Sequence, residues 1–165
     1  MVTTTLQRTE TMTVYVDGED LVYERSFDAP RELVWRAFTD ATLIPRWWGK
    51  HGTTTRVESL DVRPGGSWRF VNGAADRGEI AFYGTFLDVQ APERFRWTFL
   101  FDIEGMGEQG GEETHVFEPT DAGRTKVVAR SHIGPPEAIE AALATGMIEG
   151  AIETWDRLET LLTEL

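Results

Sequence analysis

Cysteine is absent from the 165-residue chain, which removes disulfides, thiolate nucleophiles and zinc–thiolate sites from consideration. Basic side chains are scarce beside acidic ones, 16 Lys and Arg against 28 Asp and Glu, for a net charge of -12 and a pI near 4.6. Such a chain repels a phosphate backbone, so nucleic acid is not an expected partner. No segment reaches the apolar length that spans a bilayer, and MVTTTLQRTETMTV has neither the basic start nor the apolar run of a signal peptide. The expectation is a cytoplasmic protein without membrane insertion. Histidine is rare as well. His51, His115 and His132 share no ligand spacing, so no metal and no cofactor are expected. Ser26, Ser59, Ser67 and Ser131 sit in no nucleophile elbow, and no carboxylates are paired at fixed spacing, which leaves catalytic residues unassigned.

What is present begins with the segment from Pro135 to Leu165, the only one long and periodic enough for a multi-turn amphipathic helix. Pro135 and Pro136 suit a helix start, where the missing N–H costs nothing, and Glu137 and Glu140 put negative charge where the helix dipole favours it. Ile139, Leu143, Ile148, Ile152, Trp155, Leu158 and Leu162 recur on one broad face. A single helix over 135–165 would run for roughly 40 Å or a little more at about 1.5 Å per residue. Gly146 and Gly150 interrupt it at about 1 kcal/mol each; a bend or a close approach would account for them.

The length is that of one domain. Residues 1–10 read as a flexible, polar tail and residues 11–165 as a single folded unit. Two β-prone runs flank Asp17-Gly18, a hairpin signal. Pro30 opens a helix carrying Leu33, Val34, Ala37 and Phe38, and Asp40 caps a second short helix that ends in Arg46-Trp47-Trp48-Gly49. From there the period becomes two, predicting strands at 54–62, 66–72, 78–90, 93–102, 112–118 and 124–133 in an antiparallel meander. Phe95, Trp97, Phe99 and Phe101 share one face of their strand, as do Trp68 and Phe70, and Ile80, Phe82 and Phe86, on theirs. So much aromatic surface needs a cover, and only the C-terminal helix is large enough. The predicted class is α+β: a curved antiparallel sheet wrapped around a long C-terminal helix, with two short helices closing one end.

The runs SFDAPRELVWRAFTDATLIPRWWG, DVRPGGSWRF, GTFLDVQAPERFRWTF and EGAIETWDRLETLL, in that order, resemble the START/Bet v 1-like (SRPBCC) superfamily in its branch related to the activator of Hsp90 ATPase, the AHSA1-type domain, over about residues 21–165. The resemblance implies a helix-grip fold with a hydrophobic cavity between sheet and C-terminal helix. Members include co-chaperone domains, lipid carriers, cyclases and aromatases, and self-sacrificing resistance proteins. The chain departs from the pattern twice. Met147 and Gly150-Ala151 stand where relatives often carry a histidine and then Gly-Trp, with Trp155 one turn later, and Lys50 replaces the proline that commonly follows Trp-Trp-Gly.

The expected ligand-binding residues are Trp48, Trp68, Phe70, Phe82, Trp97, Phe99, His115, Met147, Ala151 and Trp155. His115 is the leading polar candidate because alternation places it with Phe117, although a hydrogen-bonded core histidine is the simpler reading. Trp47 and Trp48 can be read as a gate or as packing under the short helix and over the sheet edge, and His51 as a loop residue. Tyr83 opposes the parity of Phe82 and Phe86 and is expected to face out, as are Arg130 and His132. Gly105 to Gly110 match G-x-G-x-x-G, but a strand follows and Glu104, Glu112 and Glu113 flank the stretch; it reads as a mobile flap between strands, over 104–111. The expected function is binding of a small hydrophobic, aromatic or lipid-like molecule. A cyclase or isomerase using His115 or Tyr83, and a chaperone-like protein partner, are the alternatives.

Overall fold

The structure, a computed structural model, describes residues 3–8, 11–103 and 107–165. Its strands are β1 (Thr3–Arg8), β2 (Met12–Asp17), β3 (Asp20–Phe27), β4 (Thr54–Leu60), β5 (Ser67–Ala74), β6 (Gly78–Gln90), β7 (Arg94–Ile103), β8 (Gly107–Pro119) and β9 (Thr125–His132). The helices are α1 (Arg31–Thr39), α2 (Pro136–Leu143) and α3 (Met147–Leu162). All nine strands form one curved antiparallel sheet in the order β1-β2-β3-β9-β8-β7-β6-β5-β4. The meander from β4 to β9 is the predicted one, and β3 joins it by pairing with β9. The α+β helix-grip class is therefore that of the molecule.

Alternation decides which residues meet. On the concave face, one rung across the sheet runs Leu21, Ser131, Glu113, Trp97, Phe86, and the next runs Tyr23, Ala129, His115, Phe95. These two rungs carry Ser131, Glu113 and His115 on the concave face. Trp68 stacks on Trp97 at 4.0 Å between ring centroids, its indole N–H donating to the carbonyl of Thr98 at 3.0 Å. Gly84, paired with Trp68, leaves that carbonyl clear, since a Cβ there would run into it.

Four readings of the sequence are corrected. Residues 135–165 are two helices, because Gly146 takes a left-handed conformation (φ 81°) that ends one helix and starts the other. A Cβ on Gly146 would have only the Glu149 carboxylate near it, so this glycine serves the turn, whereas Gly150 gives way to the Lys50 stem. Thr3–Arg8, read as part of a flexible tail, add an edge strand paired with β2. The second short helix contracts to a 3-10 turn at Ile44–Arg46, with Asp40 accepting from the N–H and hydroxyl of Thr42 at 2.8 and 2.6 Å. Of the flap read at 104–111, residues 104–106 lie outside the described residues, and 107–111 are not a loop but the start of β8, paired with β7.

The helices fill the concave side. Trp155 of α3 meets Phe27 at 5.7 Å, Tyr23 at 6.3 Å and Phe38 of α1 at 6.4 Å, while Leu158 and Leu162 are buried beside it. Arg25 of β3, almost wholly buried, donates to Asp156 at 2.7 Å and fixes the helix to the sheet. Trp47 packs under α1, its indole donating to the carbonyl of Ala37 at 2.9 Å. Among the described residues no helix is long and apolar enough to cross a membrane.

Trp97 is 4 % exposed, stacked on Trp68 and edge-on to Phe95. Trp97→Ala is therefore expected to cost about 3–5 kcal/mol. Urea unfolding measures it; a loss under about 1 kcal/mol would show that the aromatic face carries little of the stability.

Candidate functional site

The predicted residues divide into a covered set and a half-covered set. Trp68, Phe70, Trp97, His115 and Trp155 are buried, whereas Trp48, Phe82, Phe99, Met147 and Ala151 keep part of their surface exposed although they pack against the core. The aromatic members of the half-covered set gather together. Trp48 meets Phe82 at 4.8 Å, Phe70 at 5.4 Å and Phe99 at 6.5 Å, and Phe82 meets Phe99 at 5.7 Å. The first half of α3 reaches the same end of the molecule: the backbone N–H of His51 donates to Glu153 at 3.1 Å, and Gly150 lies against Lys50. Met147, Ile148, Ala151 and Ile152, all half-exposed and packed on the core, bring an aliphatic wall to that end. Trp155 belongs to the far, closed end with Tyr23, Phe27 and Phe38. The expected lining is thus split between half-exposed residues at one end and buried residues at the other.

A polar patch sits between them. Glu113 faces inward from β8, and both of its carboxylate oxygens accept hydrogen bonds, from the Trp97 indole at 3.0 Å and the Ser131 hydroxyl at 2.7 Å. Burial pushes its carboxyl up from the ordinary value, and the two hydrogen bonds partly counter that by favouring the ionised form. His115, two residues on and 7 % exposed, stacks on Phe95 at 4.7 Å with its Nδ1 buried and without a hydrogen-bond partner. Burial alone takes its imidazole from 6.5 down to about 3, so the ring is neutral at physiological pH. Tyr23, on the same rung as His115, has its phenol pushed up by burial and then by the charges of Glu113 and Glu149. His115 is inward as parity predicts, but as a ring with a free nitrogen rather than a satisfied core histidine.

The remaining candidates lie elsewhere. Tyr83 is on the outer face, donating to Glu108 and lying under the Arg69 guanidinium at 5.4 Å. Arg130 is paired with Asp17 and Asp20, and His132 with Asp20, on the outer side of β9. His51 is exposed. Among the described residues no group of three or more His, Asp or Glu side chains is placed to hold a metal ion. Two surface clefts, of about 150 Å³ beside Arg46, His51 and Arg157 and about 520 Å³ beside Leu87, Arg94 and Arg96, contain none of the predicted lining. Glu113 and Ser131 were not among the sequence candidates, yet their parity with His115 and against His132 carried the signal.

A curved antiparallel sheet gripping a C-terminal helix defines a helix-grip protein. The family model described as "Activator of Hsp90 ATPase homolog 1-like protein" matches residues 28–163, and the chain belongs to that family. A protein from Rhodobacter sphaeroides of known structure is 25% identical, with 94% of this chain and 100% of that one covered and a TM-score of 0.83. One from Arthrobacter aurescens is 22% identical over 92% and 91% of the two chains, with a TM-score of 0.80. One from Chromobacterium violaceum is 27% identical over 87% and 96%, with a TM-score of 0.71. No curated protein matches the chain. The family and fold are those of ligand-binding or co-chaperone-like domains.

The two titratable groups of the patch bend stability with pH in opposite senses. An imidazole held below its unfolded value leaves the unfolded chain with more protons, so stability falls as pH drops below 6.5. A carboxyl held above 4.5 leaves the folded chain with more protons, so Glu113 acts the other way as pH rises from there. His115→Phe removes only the first effect. Between pH 6.5 and 4.5 the stability difference is expected to move by about 2–3 kcal/mol in favour of the variant, as read from denaturant unfolding at each pH; parallel curves would place the imidazole in water.

Proposed function

We propose that this chain binds a small hydrophobic, aromatic or lipid-like molecule between the sheet and α3, entering past Trp48, Phe82 and Phe99. The observation that carries the proposal is the half-exposed apolar lining at one end of an otherwise covered interior, with Met147 and Ala151 on the helix side. Apolar surface left open in this way is what a lipophilic ligand would cover, at about 25 cal/mol per Å² before the cost of association. Trp68, Phe70 and Trp97 supply a buried aromatic wall behind these rings and His115 the orientation. No cofactor enters this reading.

A second reading has one observation behind it. Inward-facing, half-buried Glu113, its carboxyl held above the ordinary value, lies two residues from neutral His115, and cyclase or isomerase chemistry on a bound substrate would use such proton-exchanging groups. A carrier and an enzyme part company at His115→Phe, which lets a carrier keep its ligand but removes turnover from an enzyme. The protein-binding role in the family's name has no such inward requirement.

The neutral probe N-phenyl-1-naphthylamine is expected to bind saturably, with enhanced fluorescence. Ala151→Trp fills the helix side of the mouth and is expected to weaken binding at least tenfold while the unfolding transition stays cooperative. Unsaturable binding to the wild-type chain, or equal affinity in the variant, would move the function to the outer surface and to a protein partner.

A further inference from the structure

Resting on the ligand-binding reading, we infer that Glu113, Ser131 and His115 form a polar subsite selecting an uncharged aromatic molecule that carries a hydroxyl group, over the corresponding carboxylate and over the bare hydrocarbon. The starting point is an unmet need. His115 is more than nine-tenths buried, and its Nδ1 has no partner among aromatic neighbours: Phe95 at 4.7 Å, Phe38 at 5.6 Å and Trp97 at 5.7 Å. A buried imidazole nitrogen without a hydrogen bond is a standing cost, and a ligand that supplies the bond recovers it. A neutral ring has one N–H and one bare nitrogen, and a hydroxyl can answer either, accepting from the first or donating to the second.

The neighbours decide the charge of the ligand. Glu113 is an acid inside the fold, and Glu149 lies close enough to Tyr23 to act on its phenol. Arg25, a cation on this face, is already paired with Asp156. A carboxylate entering here would meet Glu113, while the Arg25 charge is already shared with Asp156, in a setting of low polarity where repulsion is little screened. The hydrogen bonds that Glu113 already accepts from Trp97 and Ser131 leave lone pairs on both oxygens, so a hydroxyl donor finds a second acceptor there. A bare hydrocarbon fills the mouth but leaves the Nδ1 of His115 as it was.

Three probes of one ring system test this: 2-naphthol, naphthalene and 2-naphthoate, titrated by calorimetry or tryptophan quenching at pH 7 against wild type, His115→Phe and Glu113→Gln. For wild type the expected order is naphthol about tenfold tighter than naphthalene, and naphthoate weaker than both. His115→Phe should erase the advantage of naphthol over naphthalene without weakening naphthalene. Glu113→Gln should narrow the gap between naphthoate and naphthalene. Naphthoate binding as well as naphthol, or naphthalene equal to naphthol in wild type, overturns the subsite and leaves the apolar cleft standing. If none of the three binds, the cleft itself is lost along with the subsite. The wild-type order alone is decisive should either variant fail to fold.

Discussion

A helix too short for its sheet is the constraint on which the rest of this molecule depends. Nine strands at about 4.8 Å spacing give a sheet close to 40 Å across, with aromatic rings along much of its concave face. The 16 residues of α3 extend for about 24 Å. The helix is docked firmly where Arg25 holds Asp156 and Trp155 enters the cluster of Tyr23, Phe27 and Phe38. Coverage fails toward the other end, at Trp48, Phe82, Phe99 and the Met147 turn. A continuous helix over 135–165 would have extended the cover, and Gly146 prevents it. One left-handed residue therefore divides the helical cover in two, and the rings at this end stay half-exposed.

Inside that cover the chain tolerates polar groups that a stability-led core would exclude. Glu113 loses hydration, and two neutral hydrogen bonds return only part of it, each netting about 1 kcal/mol. His115 offers its stacked ring to the core but gains no partner for Nδ1. Two such residues on adjacent rungs, both facing inward, carry a desolvation cost that their contacts only partly offset. Groups that cost stability and sit at the edge of an uncovered lining are what a binding interior requires, because selectivity comes from polar atoms whose needs are met by the right ligand.

The strands were legible because β-structure writes its faces into the sequence at period two. Phe95, Trp97 and Phe99 announce one side of β7, and parity alone turned His115 inward and Tyr83 outward. The same rule placed Glu113 inside, but a run of glycines and acids in front of it looked like a solvated flap, and composition overrode parity. Ser131 was hidden in the same way between Arg130 and His132, which do face out. The break in the C-terminal helix was half legible: Gly146 and Gly150 both interrupt the pattern, but only backbone geometry says that one ends a helix and the other makes room for Lys50. The edge strand β1 could not be seen, since a threonine-rich stretch shows no alternating apolar pattern in the sequence and its strand is defined by pairing with β2.

Charge is handled oppositely on the two sides of the sheet, and this bears on what the interior can receive. On the outside, Arg56, Arg69 and Arg96 are answered by Glu58, Glu79 and Glu112 at 2.5–3.1 Å, exposed pairs worth little individually that keep an acidic surface from repelling itself. On the inside Arg25 is paired with Asp156, holding the helix to the sheet. An anion approaching the mouth is opposed first by the net charge of -12 and then by Glu113. A cation is drawn to the surface but must give up its hydration to pass Trp48 and Phe82, and one carboxylate that already accepts two hydrogen bonds is a poor return for it. For the binding role proposed above, a neutral, ring-bearing molecule is the one that neither barrier would penalise.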